Sequence, residues 1–210
     1  MDENIRKTRA IQQEQLARKL EARGFGVTLL PGRENVLSFL KENIPEGSSI
    51  GVGGSITLEE CGVISWLTGN PSYRFIDRYH TDDKKKSFRE ALLADVFLMS
   101  TNAVTMDGML YNIDGTGNRL AALIYGPDKV YVIAGANKIA ADLDDAVRRV
   151  ETIAAPANNV RLQKDNPCTA AGRCLRCQKE TSICNQYVLT RRCFPAGRIH
   201  VLLVNEDLGY

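Results

Sequence analysis

Residues 102–119, NAVTMDGMLYNIDGTGNR, are the stretch around which the predicted fold is arranged. Asp107-Gly108 lies between two apolar segments, which predicts a tight β-hairpin whose turn needs a positive φ. The residues that follow, 114–119, predict a loop with an exposed backbone that enters a helix near Asn118. Such a loop can present N–H groups to an anion, with the guanidinium of Arg119 beside them. The alternative interpretation is a connector rich in glycine and aspartate that binds nothing.

Outward from this stretch, apolar runs alternate with segments of helical periodicity. The predicted strands are residues 25–30, 48–52, 73–76, 95–100, 130–134 and 198–205. The predicted helices are residues 3–22, 33–44, 56–67 and 82–94, together with a helix from residue 138 that Pro156 closes. This alternation predicts an α/β fold with a mainly parallel sheet flanked by helices on both faces, and with the hairpin as an antiparallel excursion.

The size and charge of the chain limit the number of domains and the classes of partner it can have. At 210 residues and 44% hydrophobic it can bury one full core, so we expect a single domain over residues 1–210. The 27 basic and 25 acidic residues nearly cancel, so the formal charge of +2 gives no argument for nucleic acid or an anionic membrane. No apolar run approaches the roughly 18 residues of a membrane span, and no basic segment followed by an apolar one opens the chain. We therefore expect a cytoplasmic protein.

A second glycine-rich loop lies within residues 51–60, GVGGSITLEE, where a predicted strand turns into a helix. The backbone N–H groups of Gly53, Gly54 and Ser55, with the hydroxyls of Ser55 and Thr57, can meet phosphate or carboxylate oxygens there. The loop is neither a Walker loop, because no lysine follows the last glycine in the required place, nor a full dinucleotide fingerprint. The alternative is a tight β–α turn that Ser55 or Thr57 caps.

Both glycine loops follow predicted strands, and ligands of parallel sheets bind beyond the carboxyl ends of the strands. We therefore expect residues 51–55 and 114–119 to face one crevice. The candidate catalytic acids or bases are Glu59, Asp107 and Asp114, although Glu59 can equally be a solvated residue of a first helical turn and Asp107 the corner of a turn. The candidate ligand-binding residues are Gly53, Gly54, Ser55, Thr57, Asn102, Asn112, Gly115, Gly117, Asn118 and Arg119.

Five of the six cysteines fall in the last 43 residues, which is unlike the distribution of a disulfide framework. The spacing is Cys168-x5-Cys174-x2-Cys177-x6-Cys184, within a cysteine-rich segment at residues 167–193. The pair Cys174 and Cys177 can bind one metal from a single turn, and Cys168 and Cys184 could complete four thiolates for zinc or an iron–sulfur cluster. The alternatives are reduced thiols in a structured tail, or labile disulfides.

Several of these motifs together resemble the lactate-utilization domain family, called LUD. They are the loop 51–60, the block 101–119, the turn 125–130, the segment 135–139, the cysteine segment through residue 185 and the ending 198–209. The resemblance implies a fold similar to the isomerase and CoA-transferase group, which includes ribose-5-phosphate isomerase, with both glycine loops lining the ligand crevice. It also implies a role like that of members that help to oxidise L-lactate to pyruvate as one subunit of an iron–sulfur complex.

Three functions follow from the residues and the resemblance. The first is a subunit or relative of the lactate-oxidising system that binds a small carboxylate or a phosphorylated ligand. The second is a stand-alone isomerase or transferase for a phosphosugar or acyl-CoA, with Asp107 or a loop glutamate as base. The third is a non-catalytic, metal-bound interaction module. Because the chain lacks paired ferredoxin-type cysteine runs, it resembles a small single-domain subunit, and the expected partners are a small anion, iron–sulfur subunits or a second copy of the chain.

Overall fold

The computed structural model describes residues 2–210, which form two β-sheets with helices packed on them. The strands are β1 (Gly26–Leu30), β2 (Ser49–Val52), β3 (Arg74–Phe75), β4 (Val96–Ser100), β5 (Ala103–Thr105), β6 (Leu110–Asp114), β7 (Lys129–Gly135), β8 (Ile139–Ala140), β9 (Gln186–Thr190) and β10 (Ile199–Val204). The helices are α1 (Glu3–Ala22), α2 (Glu34–Asn43), α3 (Ile56–Glu60), α4 (Val63–Leu67), α5 (Lys84–Glu90), α6 (Asn118–Ile124), α7 (Leu143–Arg149), α8 (Ala155–Arg161) and α9 (Pro167–Ala171). Across the described chain, no helix has the length and apolar character needed to cross a bilayer.

The larger sheet is entirely parallel, in the order β1–β10–β7–β4–β2–β3. Its central strands are apolar on both faces, as is typical of a parallel sheet covered by helices. Along β4, Phe97 and Met99 join the core formed with α1 and α6, whereas Val96 and Leu98 join the core formed with α2, α3 and α4. The predicted α/β fold with a mainly parallel sheet and helices on both faces is therefore confirmed.

The predicted hairpin belongs to a second sheet, in the order β8–β5–β6–β9. Strands β5 and β6 pair antiparallel, and Gly108 in their turn has the positive φ, +87°, that the sequence predicted. Strand β8 pairs parallel to β5 and β9 pairs antiparallel to β6. Apolar residues of this sheet pack against α7 and α8, which makes a third, smaller core. The hairpin thus forms the centre of a sheet rather than an isolated excursion.

Two helix predictions were wrong in their extent. The predicted helix 56–67 is two helices, α3 and α4, because Gly62 adopts a left-handed φ of +69° between them. The predicted helix from residue 138 begins only at Leu143. It continues through a π-helical turn, Val150–Ala154, into α8 and so extends beyond Pro156. Pro156 is the second residue after this π-helical turn, and the helix continues through it rather than ending there.

Candidate functional site

A crevice of about 430 Å³ opens beyond the carboxyl ends of β2 and β4. One wall is the loop after β2, and the facing wall is the loop between β6 and α6. The structure brings both predicted glycine loops to this crevice. Of the candidate residues, Gly54, Ser55, Thr57, Asn102, Asp114, Gly115, Asn118 and Arg119 line it, whereas Gly53, Glu59, Asp107, Asn112 and Gly117 are not among the lining residues.

Arg119 is the best-connected side chain of the crevice. Its two terminal nitrogens donate to four acceptors, namely the Ser100 carbonyl (2.9 Å), Asn112 Oδ1 (2.8 Å), Asn102 Oδ1 (3.0 Å) and the Ile113 carbonyl (2.7 Å). Its Nε lies 3.5 Å from Asp114 Oδ2. Because these partners occupy the guanidinium, Arg119 acts first as a clamp that joins the hairpin to β4, and its capacity for an anionic ligand is small.

Gly53 is required by this clamp. A Cβ at Gly53 would lie 3.0 Å from Cδ of Arg119, so the arginine could not pass the end of β2 unchanged. Ser55 accepts a hydrogen bond from the Leu58 amide (3.4 Å) and caps α3, as the β–α turn interpretation expects. Packing and capping therefore account for Gly53 and Ser55 without a ligand. Gly54 lines the crevice, and a Cβ added there would lie 3.6 Å from the guanidinium of Arg78.

Lys138, which the sequence analysis did not select, lines the crevice from the segment after β7. The side chain is buried, and Nζ donates to Thr57 Oγ1 (3.0 Å) and Ser100 Oγ (2.8 Å). Burial, with the nearby charges of Arg149 and Arg119, lowers the pKa of Lys138 to about 7. An amine of this kind is partly neutral near pH 7, so it can accept a proton or attack a carbonyl. The only signal in the sequence was a lysine three residues beyond a buried strand.

Arg78 is a second cation that the sequence analysis missed. Its guanidinium lies 4.6 Å from the centre of the Phe88 ring, and burial lowers its pKa. Within the described residues, no carboxylate forms an ion pair with it. The crevice is also lined by Arg161 and Lys164, while its carboxylates are Asp114 and Glu180. Since Asp114 is already paired with Arg119, the crevice has an excess of positive charge.

The three predicted carboxylates occupy different positions. Asp107 lies in the hairpin turn, where it forms an ion pair with Arg23 (3.2 Å) and accepts a hydrogen bond from the Thr105 hydroxyl. Its position matches the corner of a turn, outside the crevice. Glu59 is exposed on α3. Asp114 alone lines the crevice, and its Oδ1 accepts from the amides of Thr116 (3.3 Å) and Gly117 (3.2 Å), which fixes the shape of the loop.

The four cysteines proposed as metal ligands line a second cavity, of about 410 Å³. Cys168 comes from α9, Cys174 and Cys177 from the loop after it, and Cys184 from the segment before β9. All six cysteines are free thiols. Within residues 2–210, no three side chains of the ligand-forming types are placed to share one metal ion. The second cavity shares Ala155, Ser182 and Ile183 with the crevice, so the two are neighbours.

Comparisons with known proteins identify the family. The family model of the LUD domain matches residues 13–204. The crystal structure of a DUF162 family protein from Deinococcus radiodurans is similar in fold, with a TM-score of 0.54 and 17% identity over 93% of this chain and 98% of that chain. A crystal structure of eIF2B delta from Chaetomium thermophilum aligns over 56% of this chain and 50% of that chain at 16% identity. Its TM-score of 0.35 is too low to indicate a shared fold. Comparison with curated proteins finds no match. The chain belongs to the LUD domain family.

Proposed function

We propose that this lactate-utilization-type protein binds a small carboxylate or a phosphorylated ligand in the crevice between its two glycine-rich loops, as a subunit or relative of an L-lactate-oxidising iron–sulfur system. Family membership supports the general class of function. The ligand chemistry is argued from the side chains of the crevice. Its volume, about 430 Å³, lies within the range of small-molecule sites.

The observation that carries the proposal is the position of Arg78. Arg78 is partly buried and forms no ion pair among the described residues, so its guanidinium loses part of its solvation, which an anion in the crevice would restore. Arg161 and Lys164 add positive potential at the same cavity, which favours negatively charged ligands and speeds their association.

One buried polar atom also supports a polar ligand. Oδ2 of Asp114 lines the crevice and accepts no hydrogen bond, although its ion-pair partner, Nε of Arg119, lies 3.5 Å away. Buried polar atoms in native proteins are nearly always hydrogen-bonded to protein, water or ligand. A ligand with a hydroxyl group, such as a hydroxy acid or a sugar phosphate, could donate a hydrogen bond to this oxygen.

Isothermal titration calorimetry with lactate, pyruvate, a sugar phosphate and a CoA ester tests the proposal. We expect one of these anions to bind, with an affinity that falls as the salt concentration rises. Arg78→Gln should weaken binding at least about tenfold, since it removes a charged hydrogen bond. Arg89→Gln, an exposed arginine of α5 that does not line the crevice, is the matched control and should bind as the wild type does. Absence of binding by all four ligands would reject the proposal.

A stand-alone isomerase or transferase is the second candidate, and Lys138 favours it. Near pH 7, its partly neutral amine could remove a proton next to a carbonyl, or add to the carbonyl with loss of water to form an imine. Sodium borohydride reduces an imine to a stable amine, so mass spectrometry would find the ligand attached to Lys138. Lys138→Met should abolish both turnover and the adduct, and the exposed control Lys86→Met should not. If the isolated protein gives neither adduct nor turnover with pyruvate, a phosphosugar or an acyl-CoA, this candidate is wrong.

A further inference from the structure

The amine of Lys138 is held by two hydroxyl groups that come from different strand ends of the parallel sheet. Thr57 lies in α3, which follows β2, and Ser100 is the last residue of β4. Nζ of Lys138 donates to Thr57 Oγ1 (3.0 Å) and to Ser100 Oγ (2.8 Å), and all three side chains are buried. These bonds fix the amine beyond the carboxyl ends of two strands, where the crevice opens.

Each of the two hydroxyls directs its single hydrogen away from the amine. Thr57 Oγ1 donates to the Leu208 carbonyl (3.3 Å), and Ser100 Oγ donates to the Thr101 carbonyl (3.4 Å). A carbonyl oxygen can only accept, so in this arrangement both hydroxyl oxygens present lone pairs to Lys138. The amine must therefore supply the hydrogen of both bonds.

This division of donors and acceptors determines where the lone pair of the neutral amine points. Neutral Nζ of Lys138 has two hydrogens, and the bonds to Thr57 and Ser100 use both of them. Since Cε occupies the third corner of the tetrahedral nitrogen, the lone pair occupies the fourth. Lys138 lines the crevice, so the lone pair faces the volume proposed for the ligand.

The segment after β10 holds Thr57 in this position. The amide of Gly209 donates to Glu60 Oε2 (2.7 Å), and the carbonyl of Gly209 accepts from Asn137 Nδ2 (3.0 Å). A Cβ added at Gly209 would lie 2.6 Å from Thr57 Oγ1 and 3.6 Å from Nζ of Lys138. Glycine, with a φ of +54°, therefore lets the segment approach the threonine hydroxyl closely without covering the amine.

The charged groups around the amine, together with its burial, favour the neutral form. Burial is the largest cause of the lowered pKa of Lys138, followed by the charges of Arg149 and Arg119, whereas Glu60 and Cys61 raise this pKa. Burial raises the pKa of Cys61 itself to about 12, so Cys61 is an uncharged thiol near pH 7 and Glu60 is the anion that opposes the two arginines. Both forms of the amine are therefore present near neutral pH.

We propose that Thr57 and Ser100 are positioning residues that direct the lone pair of the Lys138 amine toward a carbonyl compound in the crevice. This role rests on the second candidate function, in which the amine reacts with a carbonyl. In that step the lone pair forms a bond to the carbonyl carbon, and the π electrons of the carbonyl move to its oxygen. The two hydrogens of the amine leave with that oxygen as one water molecule, and a C=N bond remains.

Titration of Lys138 in the ligand-free protein tests the two hydrogen bonds. Nuclear magnetic resonance follows protein with carbon-13-labelled lysine side chains from about pH 5 to pH 10, and Lys138→Met identifies the signal. The hydroxyls accept more strongly from the ammonium than from the neutral amine, so Thr57→Val and Ser100→Ala should each lower the proton affinity of Lys138 about tenfold. Thr57→Ser keeps a hydroxyl and should restore it, while Thr68→Val, which is exposed and does not line the crevice, should titrate as the wild type does. Identical titration curves for the wild type, Thr57→Val and Ser100→Ala would overturn the proposal.

The direction of the lone pair is tested by chemical reactivity. Acetic anhydride acetylates neutral amines, and mass spectrometry measures the rate at Lys138. After correction for the fraction of neutral amine, the rate in Thr57→Val and in Ser100→Ala should fall at least about threefold, because the amine can then turn away from the crevice. Corrected rates equal to that of the wild type in both variants would show that the hydroxyls do not position the amine.

Neither measurement requires a ligand, so the two proposals fail in different ways. Absence of both anion binding and imine formation would reject the proposed function, whereas unchanged titration and acetylation in the variants would reject the positioning role alone. Circular dichroism checks that each variant is folded. If Thr57→Val does not fold, Ser100→Ala tests the same role from the other hydroxyl.

Discussion

Replacing Lys138 with methionine tests whether the crevice contains a partly neutral amine near pH 7. Burial lowers the pKa of this lysine in the native state from 10.5 to about 7, and the unfolded chain regains the ordinary value. Between these two pH values the unfolded state binds more protons than the native state, so stability rises with pH. From pH 7 to pH 9, the free energy of unfolding should gain about 2 kcal/mol from this one group. The contribution is complete above pH 10.5 and is lost as the pH falls to about 7.

Urea unfolding followed by circular dichroism, at pH values from about 6 to 9, measures this dependence. Methionine keeps much of the apolar stem and takes up no proton, so the wild type should gain about 2 kcal/mol relative to Lys138→Met between pH 7 and pH 9. The comparison removes the opposite effect of thiols such as Cys61, whose pKa burial raises to about 12. Lys86→Met, on the exposed side of α5, should give a curve parallel to the wild type. Parallel curves for the wild type and Lys138→Met would refute the buried neutral amine.

Three further substitutions test the geometry of the crevice by chemical unfolding and ligand titration. Arg119→Lys should cost about 3 kcal/mol of stability, because an ammonium cannot replace the planar fork that reaches four acceptors; a loss below about 1 kcal/mol would show that the clamp is not needed. Gly53→Ala should cost about 1–3 kcal/mol through the contact with Arg119, and Gly54→Ala, whose nearest contact is 3.6 Å, serves as its control and should be milder. Asp107→Asn should change stability by less than about 1 kcal/mol, since its ion pair with Arg23 is half exposed; loss of turnover in this variant would instead restore Asp107 as a catalytic base.

Much of the fold could be predicted because its signals are local. The run VFLMS in β4 is apolar at every position, which is typical of a strand buried on both faces, and Asp107-Gly108 specifies its own turn. The prediction failed where distant contacts decide the structure. Strand β9 (QYVLT) contains residues common in strands, but it lies in the cysteine-rich segment, and its pairing with β6 joins residues more than 70 positions apart. Strand β8 has only two residues, and it is recognised as a strand only because it pairs with β5.

The sequence predicted the loops that form the crevice but not the charged side chains that line it. Glycine loops after strands mark the edge of a parallel sheet where ligands bind, so both loops were placed at one crevice from the sequence. Lys138 and Arg78 were missed because surface lysines and arginines are common, and only the three-dimensional structure shows that one is buried and the other has no ion pair. Conversely, Asp107 was a candidate catalytic residue, but its position reflects the hairpin turn before Gly108 and its ion pair with Arg23.

Arg119 was expected to bind the anion, but the structure separates two roles: Arg119 holds the walls of the crevice together, and Arg78 is proposed to bind the ligand. The acceptors of Arg119 include the Ser100 carbonyl in the parallel sheet and Asn112 in the second sheet, so its guanidinium joins the two sheets at the base of the crevice. Removal of that clamp would separate walls that any ligand must bridge, and stability and affinity would fall together. Among the described residues Arg78 forms no ion pair, and its guanidinium lies over the ring of Phe88, with the charge of Asp114 nearby. Its removal should therefore reduce affinity while stability changes little, because the interaction it supplies forms only when an anion is present.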